Sequence, residues 1–171
     1  MLAQGVPAYH LSNSCNAGRY HLEKQILSDP QRDVVLQKTR FIPLVGELGS
    51  YHLYALLAPH LGNQGAANNA WVGDYKGVPM LFASRDRIAL ALACSTDWLR
   101  RSAGYVGFSD GWQDLSQHKQ MTWNFERAQH GNVALTGEIE LEASQGEFTL
   151  ALGFGITPEE AGQRALASLQ D

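Results

Sequence analysis

The residues best suited to chemistry are two carboxylates beside aromatic rings, Asp110 and Asp114, in the stretch SAGYVGFSDGWQDLSQHKQMTW from Ser102 to Trp123. Glycosidic bonds are cleaved by carboxylate pairs set about 5–10 Å apart across a sugar. Four residues of sequence do not fix such a gap, so the pair by itself identifies no self-contained hydrolase. Glu138, Glu140 and Glu142 alternate along one predicted strand and read as a solvated stripe. The six histidines are scattered, no GxSxG elbow or phosphate loop occurs, and Gly104, Gly107 and Gly111 do not sit between a strand and a helix as a nucleotide fingerprint requires. His60, Asn63, Asn68 and Asn69 bring one imidazole and three amides together, too little charge for an ordinary metal site. They read instead as hydrogen bonds that tie down a loop. No catalytic residue, metal or cofactor is expected.

The same stretch reads better as a surface. Tyr105, Phe108 and Trp112 alternate with glycine and serine, and glycine serves tight turns and close approach of one backbone to another. Tyr105, Phe108, Asp110, Trp112, Gln113, Asp114 and Trp123 are therefore the candidates for docking a neighbour or contacting a sugar, with a core-capping loop as the competing reading. The rings, Trp98 included, are expected mainly to pack or dock and secondarily to act as sugar platforms.

The elements that must position these residues are strands. Tyr20, Leu22 and Ile26 alternate with polar neighbours, and similar segments recur at Ala8–Asn13, Asp33–Leu44, Trp71–Lys76, Val78–Ser84, Arg87–Ser95, Met121–Arg127, Asn132–Glu142 and Glu147–Phe154. Lys76–Gly77, Arg85–Asp86–Arg87, His130–Gly131 and Gln145–Gly146 are the expected turns. Tyr51–Leu61 is apolar at nearly every position and predicts a strand buried on both faces, while Asp97–Arg101 predicts a brief turn. One helix is signalled, at Thr157–Leu169, where Thr157, Pro158 and Glu160 form a capping box. The fold class is all-β, antiparallel, with one C-terminal helix.

Length and charge narrow the function. A chain of 171 residues buries roughly 70% of its unfolded surface as one domain. A net charge of -4 with 13 Lys plus Arg argues against nucleic-acid binding. Cys15 and Cys94 are far apart without a CxxC partner and read as buried thiols. The N-terminus lacks the pattern of a signal peptide, no stretch approaches a membrane span, and the compartment stays open.

The segments LYALLAPHLGNQGAANNAWVGDYKGVPMLFA, ALALACS, RSAGYVGFSDGWQDL, MTWNFERAQHGNVALTGEIEL and FTLALGFGITPEEA, in that order, closely resemble the N-terminal domain of bacterial glucoamylases and glucodextranases of glycoside hydrolase family 15. The resemblance implies an antiparallel β-supersandwich, galactose mutarotase-like, over residues 1–156. It also implies a connector helix, 157–171, leading to a separate catalytic α/α barrel. In that family both catalytic glutamates belong to the barrel, so no catalytic residue carries over. The implied role is to support and orient the barrel; a stand-alone carbohydrate-binding module for α-glucan is the alternative. The family has further β-structure ahead of the segment matching AYHLSNSCNAGRYHLEKQIL, so a shortened domain is expected, with a homodimer hiding the edge left open.

Overall fold

The computed structural model describes residues 7–171. Among the described residues eleven strands form two antiparallel sheets: β1 (Ala8–Ser14), β2 (Tyr20–Ser28), β3 (Val34–Pro43), β4 (Leu53–Leu57), β5 (Asn68–Tyr75), β6 (Val78–Arg85), β7 (Ile88–Cys94), β8 (Trp98–Tyr105), β9 (Arg127–Gly131), β10 (Val133–Ile139) and β11 (Glu147–Gly155). The larger sheet runs β1-β2-β3-β11-β7-β6-β5-β9 and the smaller β4-β10-β8. Two helices complete the fold, α1 (Gly111–His118) and α2 (Pro158–Gln170).

The molecule has four layers. Between the sheets lie Leu81, Ala83, Leu90 and Leu92 of the larger and Ala103, Val133 and Leu135 of the smaller. On the other face of the larger sheet, Met80, Phe82, Ala91 and Ala151 meet Ala161 and Ala165 of α2. The central strands are thus buried on both faces, which is why β7 reads as the continuous apolar run IALALAC. Helix α2 sits close because Gly153 of β11 has no side chain: a Cβ there would overlap the Ala161 carbonyl oxygen. Thr157 caps it by accepting from the Glu160 amide at 3.2 Å, and the Glu160 carboxylate accepts from the Ile156 amide at 2.7 Å.

Several expectations need correction. There are two helices, because α1 lies inside the glycine-aromatic stretch read as a loop. Within the segment 97–101 read as a brief turn, β8 already begins at Trp98 and runs to Tyr105. The segment Met121–Arg127 joins no ladder until β9 begins at Arg127. The apolar run Tyr51–Leu61 is not buried on both faces: β4 is an edge of the smaller sheet, and Leu56 is 46% exposed. Glu138 is not solvated; it is buried on β10, with His52 Nδ1 at 2.7 Å and Arg100 Nε at 3.8 Å. Of the two free thiols only Cys94 is buried, its pKa pushed up to about 11 by desolvation, while Cys15 is half-exposed at the β1–β2 turn.

Candidate functional site

Helix α1 and the strand-like segment that follows it cover the outer face of the smaller sheet. Asp110 begins the helix as N-cap, accepting from the Gln113 amide at 2.9 Å and, through its other oxygen, from the Gly107 amide. One carboxylate thus clamps both the turn before the helix and its first turn. The approach is close: a Cβ at Gly104 would strike the Ser109 carbonyl, and one at Gly111 would strike the Thr136 hydroxyl of β10. Glycine is required at both positions for α1 to lie on β10.

Asp114 does the corresponding work at the other end. Its carboxylate, 1% exposed, accepts from the Thr122 amide at 2.7 Å, the Trp123 amide at 2.7 Å and the Thr122 hydroxyl at 2.6 Å, and pairs with His118 Nδ1 at 2.7 Å. Burial pushes its pKa up, yet the Thr122 hydroxyl, the two amides and His118 outweigh that and hold the group below the usual carboxylate range. A glycosidase acid needs the opposite shift. Both candidate carboxylates are engaged in holding backbone.

The predicted aromatic residues separate into two groups. Phe108 is 84% exposed and Trp112 is 67% exposed, both on the tip that Asp110 clamps, and Tyr105 beside them is partly exposed. The Tyr105 hydroxyl accepts from the Gln129 amide at 2.9 Å and donates to the Gln129 carbonyl at 3.1 Å, which makes it a strut. Gln113 is half-buried, its amide capped by Asp110. Trp123 lies apart, half-buried, with the His118 ring edge-on at 5.9 Å and Phe125 tilted at 5.8 Å.

Trp123 lines a cleft of about 360 Å³ together with Val72, Trp98, Leu99, Arg100, Arg101 and Asn124. Val72, Leu99, Arg100, Arg101 and Asn124 were not among the sequence candidates. The available signal was Arg100–Arg101 directly after Trp98 and Leu99, hidden by reading that segment as a turn. The His60–Asn69 loop is tied down as expected: the Asn68 side chain accepts from the Leu61 amide at 3.1 Å and donates to the carbonyls of Gln64 and Gly65 at 2.7 Å each. Among the described residues no group of three His, Cys, Asp or Glu side chains is gathered to hold a metal.

A family model described as glucodextranase, domain N, matches residues 1–171. The chain belongs to that family. As a glucodextranase-type N domain it is 34% identical over 163 residues to a glucoamylase of Clostridium sp. (strain G0005), covering 95% of this chain and 23% of that protein. It is also similar to the crystal structure of a bacterial glucoamylase complexed with acarbose, with TM-score 0.93 and 34% identity, over 99% of this chain and 25% of that one. The chain therefore spans about a quarter of the length of these relatives. The antiparallel supersandwich implied by the resemblance is the fold found.

Proposed function

We propose that this N domain supports and orients a separate catalytic α/α barrel within a glucoamylase-like glycoside hydrolase, and that it takes no catalytic part itself. The observation that carries the reading is the tip at Phe108 and Trp112. Two large apolar side chains, 84% and 67% exposed, stand on a turn fixed by Asp110 and by Ser109, whose hydroxyl accepts from the Tyr105 amide at 3.0 Å. Exposed aromatic residues on a rigid support are the pattern of an interface anchor: they add large apolar area and lose little conformational entropy on docking. The size of the relatives supplies a partner, since about three quarters of their length lies outside the region matched here. Helix α2 serves in this reading as the connector.

The test is to read the gene beyond Asp171 and then to express the full polypeptide with Phe108→Ser and Trp112→Ser together. A barrel-coding segment is expected downstream, and the double variant should lower the barrel's melting temperature while leaving that of the isolated 171-residue chain within about 1 °C, as for exposed substitutions. Absence of a barrel-coding segment, or an unchanged barrel transition in the double variant, would refute the proposal.

A further inference from the structure

The cleft beside β8 is independent of the exposed tip, and its lining has a definite chemistry. Arg101 is held by donating through Nη1 to the carbonyls of Gly73 at 2.6 Å and Met80 at 2.9 Å, and Arg100 donates through Nη1 to the Met121 carbonyl at 2.8 Å. A guanidinium carries five N–H donors, so each keeps donors beyond those already committed, and each is locked in place without a ligand. Trp123 is positioned by its own amide on Asp114, and Asn124 next to it is exposed and brings both a donor and an acceptor. Trp98 completes the wall, with a buried indole N–H that finds no hydrogen-bond partner.

Two kinds of small ligand suit arginines beside an indole: an anion, or a neutral molecule rich in hydroxyls. The charges decide between them. Arg100 already faces Glu138 at 3.8 Å and Arg101 faces Asp74 at 3.7 Å, so the cleft has no cationic excess to attract an anion. What remains is a set of fixed, directional donors, one amide and an aromatic ring, which suits the hydroxyls and the apolar face of a pyranose. At about 360 Å³ the cleft is at the small end of ligand sites, room for one or two sugar rings.

We propose that this cleft is a carbohydrate subsite in which a pyranose ring of a neutral α-glucan stacks on Trp123, with its hydroxyls held by Arg100, Arg101 and Asn124. The choice of α-glucan rests on the reading of the domain as part of a glucoamylase-like enzyme; the preference for a neutral sugar rests on the cleft alone. It gives the domain a hold on substrate at a place separate from the docking tip.

The experiment titrates the 171-residue chain with maltotetraose while following the four tryptophan indole N–H signals by NMR. Saturable shifts of the Trp123 and Trp98 signals are expected, with Trp112 unmoved. Asn124→Ala, at an exposed position, should weaken binding roughly fivefold, the size of one hydrogen bond. Trp123→Ala should weaken it roughly tenfold or more, with near-ultraviolet circular dichroism reporting whether the fold survives. The proposal is overturned if neither indole shifts up to saturating sugar, if the shift centres on Trp112, if Asn124→Ala binds like the parent, or if inorganic phosphate reproduces the shifts at equal concentration. Docking by Phe108 and Trp112 is read separately, from the barrel's stability, so a cleft that binds no sugar leaves it untouched.

Discussion

Replacing Asp114 with alanine tests the central structural argument, because the fold assigns that carboxylate to holding backbone. The substitution leaves the amides of Thr122 and Trp123, each 2.7 Å from the carboxylate, without their acceptor beside a group only 1% exposed. An unsatisfied buried donor costs about 1–3 kcal/mol. The two amides are adjacent and relax together, so the net loss is about 3 kcal/mol, equivalent to roughly 6–12 °C in melting temperature for a domain of this length. Calorimetry measures the first number, and hydrogen exchange at the Thr122 and Trp123 amides shows whether the loss is local. The acid limb gives a second measure. Because the folded-state pKa of Asp114 is lowered, its contribution is present above the unfolded value of about 4 and is lost as pH falls through the folded one. Asp29 has the same sign, held at about 2 first by the Ser168 hydroxyl and then by the Gln31 amide. Acid unfolding should therefore develop between about pH 4 and pH 2, and should be shallower in Asp114→Ala, which has lost one of the two groups. A melting temperature within about 2 °C of the parent, with both amides still protected, would refute the reasoning.

Two further outcomes follow from the same geometry. The chain alone should release no glucose from maltooligosaccharides, because Asp110 and Asp114 are both committed to backbone donors; glucose release that disappears in Asp110→Asn or Asp114→Asn would overturn this. The isolated chain should associate as a homodimer through β1, an edge of the larger sheet where Tyr9 and Leu11 are exposed on one face; light scattering that finds a monomer throughout a dilution series, with slow exchange along β2, would overturn it.

Most of the sheet was legible because its periodicity is local. The strand at Leu22 was found from its alternating residue types, although β2 is half-buried along most of its length rather than on one face, and the glycine-bearing turns at Lys76–Gly77 and Gln145–Gly146 punctuate the sheet. Helix α2 was legible from its cap. Helix α1 carries the same kind of signal, Asp110 followed three residues later by Gln113, but eight residues with only a short apolar face give little periodicity, and glycine at the first helical position reads as loop. The fate of Glu138 could not be read at all, because its burial depends on Arg100 from β8 and His52 from the approach to β4, far away in sequence. For the candidate surface, sequence identified the right stretch but could not separate its rings: Phe108 and Trp112 point outward while Tyr105 is a strut, a difference made by Gln129 and the Asp110 clamp. The cleft escaped because β5, β8 and the segment after α1 each contribute only a few residues to it.

The seating of α2 has a mechanical consequence. At its start the helix is pressed into the bare backbone of Gly153. At its end the Ser168 hydroxyl donates to Asp29 at 2.5 Å, and Arg32, which pairs with Asp29 at 3.1 Å, also reaches the Asp171 carboxylate at 2.5 Å. A rod about 20 Å long, fastened at both ends, has almost no freedom to pivot. Thermal play of roughly half an ångström at one end is a swing of roughly 1.5°, against the wide cone open to a flexible tether. In the reading of α2 as a connector, a segment continuing from Asp171 would be aimed rather than leashed: its bearing would be set by the turn between β2 and β3, and a substitution at Arg32 or Asp29 would loosen the aim without touching either sheet's core.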